Sequence, residues 1–472
     1  MKRNILILLL LSAILPVSSC KKFLEEQSQT DIIPRSASAL NEMILGSSGS
    51  AMDVGIRFLD DDMVHDNTLV AKGLVYDSYT WQPEIITKSG GSGSMQWTNL
   101  YPKILVSNLV LDYAPKVTGT PAEIENVSGQ AYLLRAFNYF QLVNFYAKPY
   151  TDKLSNPDQD PGVPLMLASG LSFEGKSRNT VAEVYKQILE DLDKGTELME
   201  RSGKNTSLYR INHLAGYLLS SRVQLYMGNW EKVIEAATNV LNRKSDLMNL
   251  NTWGGADQNN KPIIGTQNQE VVWVYGSPHE AVFPTGQQNE AYQYTLSNDL
   301  LSSYETGDLR ASIYIKNKRS MKRPIVGIAK VAQAFRISEA LLNRAEAHAQ
   351  LNKLGQTQHG LLALNDLNTL RKKRFTTDSY HDLVSTDADD LLQKCYEEKR
   401  REFFGEECHR WFDLRRHGMP SITHFYRESN TLTLKYVLED HDPAYVLQIP
   451  KGVLEKNTKL IPNPAPAPRI GH

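Results

Sequence analysis

Arg222-Val-Gln-Leu-Tyr-Met-Gly-Asn229, laid over Ala345-Glu-Ala-His-Ala-Gln-Leu-Asn352, sets small and aliphatic residues at matching steps of a helical repeat. Each stretch closes one apolar-periodic segment and leads into another. Asn212 to Met227 is followed by Trp230 to Leu241 across Gly228-Asn229, and Phe335 to Leu351 by Gly360 to Leu370 across a polar link containing Gly355. Apolar residues at three- and four-residue steps bury one face of a helix. Small residues on that face let a second helix approach closely.

The same periodicity extends outward. A short helix is expected over Ala37 to Leu45, and a long one from Met95, where Trp97, Tyr101, Ile104, Asn108 and Asp112 recur. Val127 to Tyr146 repeats the pattern until Pro149 ends it. Thr180 with Glu183 has the spacing of a capping box, opening a helix whose apolar face is Val184, Ile188, Leu192 and Leu198. The paired helices are similar to tetratricopeptide units, interrupted by insertions that leave no strict period. The fold expected is therefore mainly α: a tetratricopeptide-like scaffold of helix pairs, with a loop-rich insertion and a few short strands. Strand signals are Glu270-Val-Val-Trp-Val-Tyr275, Thr431 to Leu438 and Tyr445 to Ile449. The divisions expected are a signal peptide over 1–19, a lipidated tether over 20–35, and scaffold over 36–243. An insertion over 244–334 carries the expected ligand face, and scaffold resumes over 335–472, ending in a Pro-rich tail.

Composition limits what such a chain does. It has 472 residues, 41% apolar and 22% charged, with 52 Lys+Arg against 53 Asp+Glu. That balance excludes a disordered chain and a polytopic membrane protein, and a net charge of -1 gives no motive for nucleic-acid binding. Lys2 and Arg3 precede an apolar run too short to span a bilayer, with the proportions of a secretory signal. Val17-Ser18-Ser19-Cys20 then places small residues before a cysteine, as in the lipobox of bacterial lipoproteins, so Cys20 is the expected site of lipid attachment. Two acyl chains hold a domain durably on a membrane. Of the other cysteines, Cys395 and Cys408 would stand about 20 Å apart on one helix at about 1.5 Å per residue, beyond disulfide reach, unless a break at Gly405 brings them closer.

Enzyme signatures are missing from the sequence: no His-Glu-x-x-His, Gly-x-Ser-x-Gly, phosphate loop or dinucleotide Gly-x-Gly-x-x-Gly. His348 and His359 fall on different helices and read as surface or packing residues. Asp60, Asp61, Asp62 and Asp66 could offer oxygens to calcium, but their spacing is not that of an EF-hand; a solvated loop with capping roles is the expectation. The segment Glu397 to Arg416 interleaves Arg and Glu with Phe403, Trp411 and Phe412, which suits carboxylate–guanidinium forks locking helices together more than an anion site. The run Arg371 to Arg374 suits a helix C-terminus.

That segment also carries a resemblance. Glu398 to Phe404 followed by Arg410-Trp-Phe-Asp-Leu-Arg-Arg416 resembles the C-terminal signature of the SusD/RagB family. Four further stretches match in order: Cys20 to Glu25; Trp97, Tyr101, Ile104 and Asn108; Leu134 to Phe140; and Glu339 to Ala347. Gln448-Ile-Pro450 with Asn457 also fits. The resemblance implies a non-enzymatic, surface-exposed outer-membrane lipoprotein without cofactor or metal. It would capture oligosaccharides and deliver them to a SusC-like TonB-dependent transporter. A peptide-binding lid of the same kind is the alternative, and a surface glycoside hydrolase a more distant one. Family members that bind starch stack sugars on aromatic platforms in the early loop and the insertion. Here those regions hold Trp81, Trp253, Tyr292 and Tyr294, the candidate ligand-binding residues. Trp273 and Trp411 are expected in the core.

Overall fold

Helix pairing organises the computed structural model, which describes residues 34–48, 54–65, 72–86, 92–170, 174–204, 207–253, 261–276, 293–322 and 331–472. The signal, the tether and Cys20 lie outside them. Helix Pro121–Tyr146 starts where Thr120 accepts the Glu123 amide at 3.3 Å while Glu123 accepts the Thr120 amide at 3.0 Å. The box expected at Thr180 forms the same way and opens helix Val181–Ser202. These two helices pack on each other, flanked by Ser92–Tyr113 and His213–Tyr226. Glycines set the closest approach. A Cβ on Gly195 would stand 2.8 Å from Leu133 Cγ and 3.0 Å from the Gly129 carbonyl oxygen, so the two backbones nearly touch there.

The repeat read in the sequence becomes two helix pairs, His213–Tyr226 with Trp230–Arg243 and Ile337–Lys353 with Gln358–Arg371. Ile337–Lys353 packs on both Trp230–Arg243 and Ala388–Phe403, so the C-terminal pair continues the stack of the first. The signature segment supplies Ala388–Phe403 and His409–Arg416, separated by Gly405 at φ 67° and Glu407 at φ 44°. Cys395 and Cys408 flank that break as buried thiols that are not joined in a disulfide. Trp273 and Trp411 are buried, as expected.

Strands serve as two-stranded ribbons. Val271–Tyr275 pairs antiparallel with Gln333–Arg336, Met63–His65 with Tyr294–Leu296, and Ile422–Arg427 with Thr433–Leu438. Tyr445 to Ile449 differs from expectation. Pro443 opens a single 3-10 turn ending at Tyr445, and the segment then runs unpaired, its Leu447 amide donating to Phe145 O at 2.8 Å. The Tyr445 and Val446 amides turn back to Asp442 O and Pro443 O at 3.0 and 3.1 Å, which takes them out of any ladder.

Candidate functional site

The charged segment is an interior lock. Glu402, at the end of its helix, accepts from Arg336 at 2.8 Å and from Arg374 at 2.9 and 3.0 Å. Glu270 accepts from the same two guanidinium groups at 2.8 and 2.7 Å. Arg310 joins Asp308 at 2.7 Å and Glu398 at 2.7 Å. All seven side chains are sealed from solvent, so no anion reaches them. Burial works against the charge on Glu402, but Arg374 and Arg336 hold its carboxyl well below the usual range. Arg374 therefore does more than complement a helix dipole. Lys322, buried beneath the same helix end, is pressed down to about 8 by burial, with Glu406 opposing the shift.

The acidic run is corrected as well. Asp61 forks Arg410 at 2.7 Å through both oxygens, and Asp62 accepts from Arg400 at 2.8 Å. Asp60 and Asp62 are raised, mainly by burial, while Asp61 is lowered because Arg410 outweighs its burial. Asp61, half-buried, and Asp62, buried, clamp the early segment to the signature helices, while Asp60 keeps a capping role by accepting the Asp62 amide at 3.0 Å; Asp66 lies outside the described residues. Two arginines already occupy the charge that calcium would need. Among the described residues no group of three or more His, Cys, Asp or Glu side chains is placed to hold a metal.

The ligand candidates divide. Trp81 is fully buried, its Nε1 donating to Leu59 O at 2.9 Å and its ring stacked on His424 at 4.2 Å. Tyr294 is also buried, its ring 4.8 Å from Phe58 and 4.9 Å from both His65 and Tyr79. Neither offers a face to a sugar, a correction to the expectation: Trp81 is packed inside together with its neighbours Thr80 and Gln82. Trp253 ends the short helix Leu250–Trp253 half-buried, with Lys261 Nζ 5.8 Å from its ring. Tyr292 lies outside the described residues.

The buried candidates instead support an aromatic ladder that sequence reasoning missed. Tyr79 stacks on His424 at 4.1 Å and meets Tyr294 edge-on; His65 stacks on Tyr426 at 4.1 Å; Tyr426 meets Tyr76 at 4.8 Å. Tyr76 and Tyr436 share a hydroxyl–hydroxyl hydrogen bond of 2.9 Å. At this end the ladder reaches the surface. Tyr76 is half-buried, Lys72 lies 4.8 Å over its ring, and Glu428 holds Lys72 at 2.8 Å. Phe425 projects from the outer face of the same hairpin, 55% exposed. Burial alternates strictly along Ile422–Arg427, but Ile-Thr-His-Phe-Tyr-Arg does not alternate apolar and polar residues, so the sequence held no signal for it. A half-exposed ring bordered by a cation and a carboxylate can stack the C–H face of a sugar and hydrogen-bond its hydroxyls.

Comparisons with known proteins agree with this architecture. A family model described as starch-binding and associating with the outer membrane matches residues 22–225, and that of the SusD family matches residues 327–465. SusD-like protein P2 of Formosa agariphila is 22% identical, over 79% of this chain and 80% of that protein. A SusD-like carbohydrate binding protein from Bacteroides vulgatus superposes with a TM-score of 0.70 at 21% identity, covering 90% of this chain and 98% of its own. A putative sugar binding protein from the same organism gives 0.71 at 22% identity, covering 93% and 100%.

Proposed function

Because this chain belongs to the SusD/RagB family, we propose that it is a non-enzymatic lipoprotein that captures oligosaccharides at the outer surface and passes them to a SusC-like TonB-dependent transporter. Cys20 carries the lipid. No helix among the described residues is long and apolar enough to cross a membrane, so a tether at Cys20 is the means of attachment that the sequence offers. The observation that supports ligand capture is the ladder running from buried Trp81 to half-buried Tyr76. It joins the early segment, the strand Tyr294–Leu296 and the C-terminal hairpin into one rigid base beneath accessible rings. Tyr76 and Trp253 are the residues proposed to touch sugar.

Calorimetric titration of the purified full chain against panels of oligosaccharides and short peptides tests this reading. Binding of a glycan in the micromolar to millimolar range, about -8 to -4 kcal/mol, is expected. Tyr76→Ala or Trp253→Ala should weaken it about tenfold or more. Binding of peptides alone would move the assignment to a peptide lid, and turnover of a glycan would make the protein an enzyme.

A further inference from the structure

His348 and His359, on separate helices, meet across the open end of the C-terminal helix pair. Their Nδ1 atoms are 2.7 Å apart, with ring centroids at 4.9 Å and planes inclined by 37°. Two imidazole nitrogens at that distance share one proton, one ring donating and the other accepting through its lone pair. Asn352 lies four residues beyond His348 on the same helix face. A Cβ on Gly360, the residue after His359, would come 3.0 Å from Asn352 Oδ1, so the amide oxygen sits against the backbone beside His359. The turn that closes the pair contains Gly355 at φ 93°, which permits so tight a reversal.

The electrostatics suit a cation better than the surrounding charges suggest. Arg344, one turn before His348, is forked by Asp366 at 2.8 and 2.7 Å, so the neighbouring cation is held in an ion pair. His359 is half-buried, which leaves one side of the pair open to water.

We propose that His348 Nδ1 and His359 Nδ1 form a two-histidine binding site for a borderline divalent transition metal, Zn2+ first and Ni2+ or Cu2+ by the same chemistry. Both Nδ1 lone pairs must face the ion, so the donating ring moves its proton to Nε2; none is lost and no electron is transferred. Metal–nitrogen bonds of about 2.0–2.1 Å at a tetrahedral angle require the two Nδ1 atoms about 3.4 Å apart. Small side-chain rotations therefore admit the ion, and water completes its shell. The ion would staple the two helices at their turn, away from the aromatic ladder, so the site stands apart from ligand capture.

The test is calorimetric titration of the chelator-stripped full chain with ZnCl2 at about pH 7, paired with electron paramagnetic resonance of the Cu2+ form. One saturable equivalent is expected, with nitrogen couplings from two imidazoles. His359→Ala should weaken Zn2+ binding tenfold or more and leave one coupled imidazole. His348→Gln should do the same, and half-buried His359 keeps the test sound if the His348 variant fails to fold. Absence of saturable Zn2+ binding, or equal affinity in His359→Ala, would overturn the proposal. The second result would also assign any measured binding to other side chains.

Discussion

Replacing Glu402 by Gln keeps the shape of the side chain and removes the charge at the centre of the interior lock. Glu402 Oε1 accepts from Arg336, Arg374 and, at 3.3 Å, the Tyr314 hydroxyl, while Oε2 accepts from Arg374 and Arg310. The amide can accept through only one atom and turns its NH2 toward guanidinium groups that have no water to retreat into. Uncompensated burial of a charge costs about 3–5 kcal/mol. With about 2.1 cal/mol/K of unfolding entropy per residue over roughly 400 ordered residues, the unfolding entropy is about 0.8 kcal/mol/K. A loss of about 4 kcal/mol then lowers Tm by about 5 °C. Calorimetric melting at neutral pH reads this directly. Glu397→Gln is the control: its side chain is 47% exposed and 3.9 Å from Arg401, and the change should cost less than about 0.5 kcal/mol. If Glu402→Gln melts within about 1 °C of the parent, the lock does not hold the helix end and the reasoning fails. In the double variant with Arg374→Met, the losses should fall short of additivity by about 1–3 kcal/mol.

Gly195→Val forces a side chain into the crossing with Leu133 and Gly129 and should cost about 1–3 kcal/mol by denaturant titration. Thr180→Ala removes one half of a capping box and should cost about 1 kcal/mol in the same assay. Trp81→Ala should destabilise by about 3–5 kcal/mol as a core truncation, whereas Tyr76→Ala should melt closer to the parent yet lose ligand; equal melting of the two would contradict their placement. Acid should weaken the fold in a defined window. Burial opposes the charges on Glu402, Glu398 and Asp413, but Arg374 and Arg336, Arg310, and Arg416 respectively hold them low, Asp413 at about 2. Folded values below unfolded ones mean that this stability is complete above about pH 4.5 and lost as pH falls toward 2. Denaturation midpoints that stay flat from pH 5 to pH 2 would contradict this.

Helices were legible because their signals are local. Thr180 and Glu183 lie three residues apart, and the apolar steps of each pair repeat within a turn or two. The signature was also read correctly as a lock, since alternating Arg and Glu beside large aromatics has few other uses. Its partners were not legible. Glu270 and Arg336 reach Glu402 only because two short strands pair and deliver them there, and no spacing encodes that meeting. Asp61 misled for a related reason: a run of acidic residues predicts solvent only if nothing distant covers it, and Arg410 does; Trp81 was placed by resemblance, which carries no information on its burial against His424. The two histidines read as unrelated because the turn joining their helices sets a side-by-side geometry that residue count alone does not fix.

The aromatic ladder has a kinetic consequence. Tyr76 meets Tyr436 across 360 positions, Tyr79 meets the Phe425 carbonyl across 346, and Asp61 meets Arg410 across 349. Contacts so distant form only after the long loops between them have closed. The helix pairs, built from neighbours, can assemble first and present an almost complete body. The proposed ligand face would then be the last region to mature during folding and the first to open when the body loosens. A chain with its helices intact and this seam unzipped would look folded by its helical content while binding nothing.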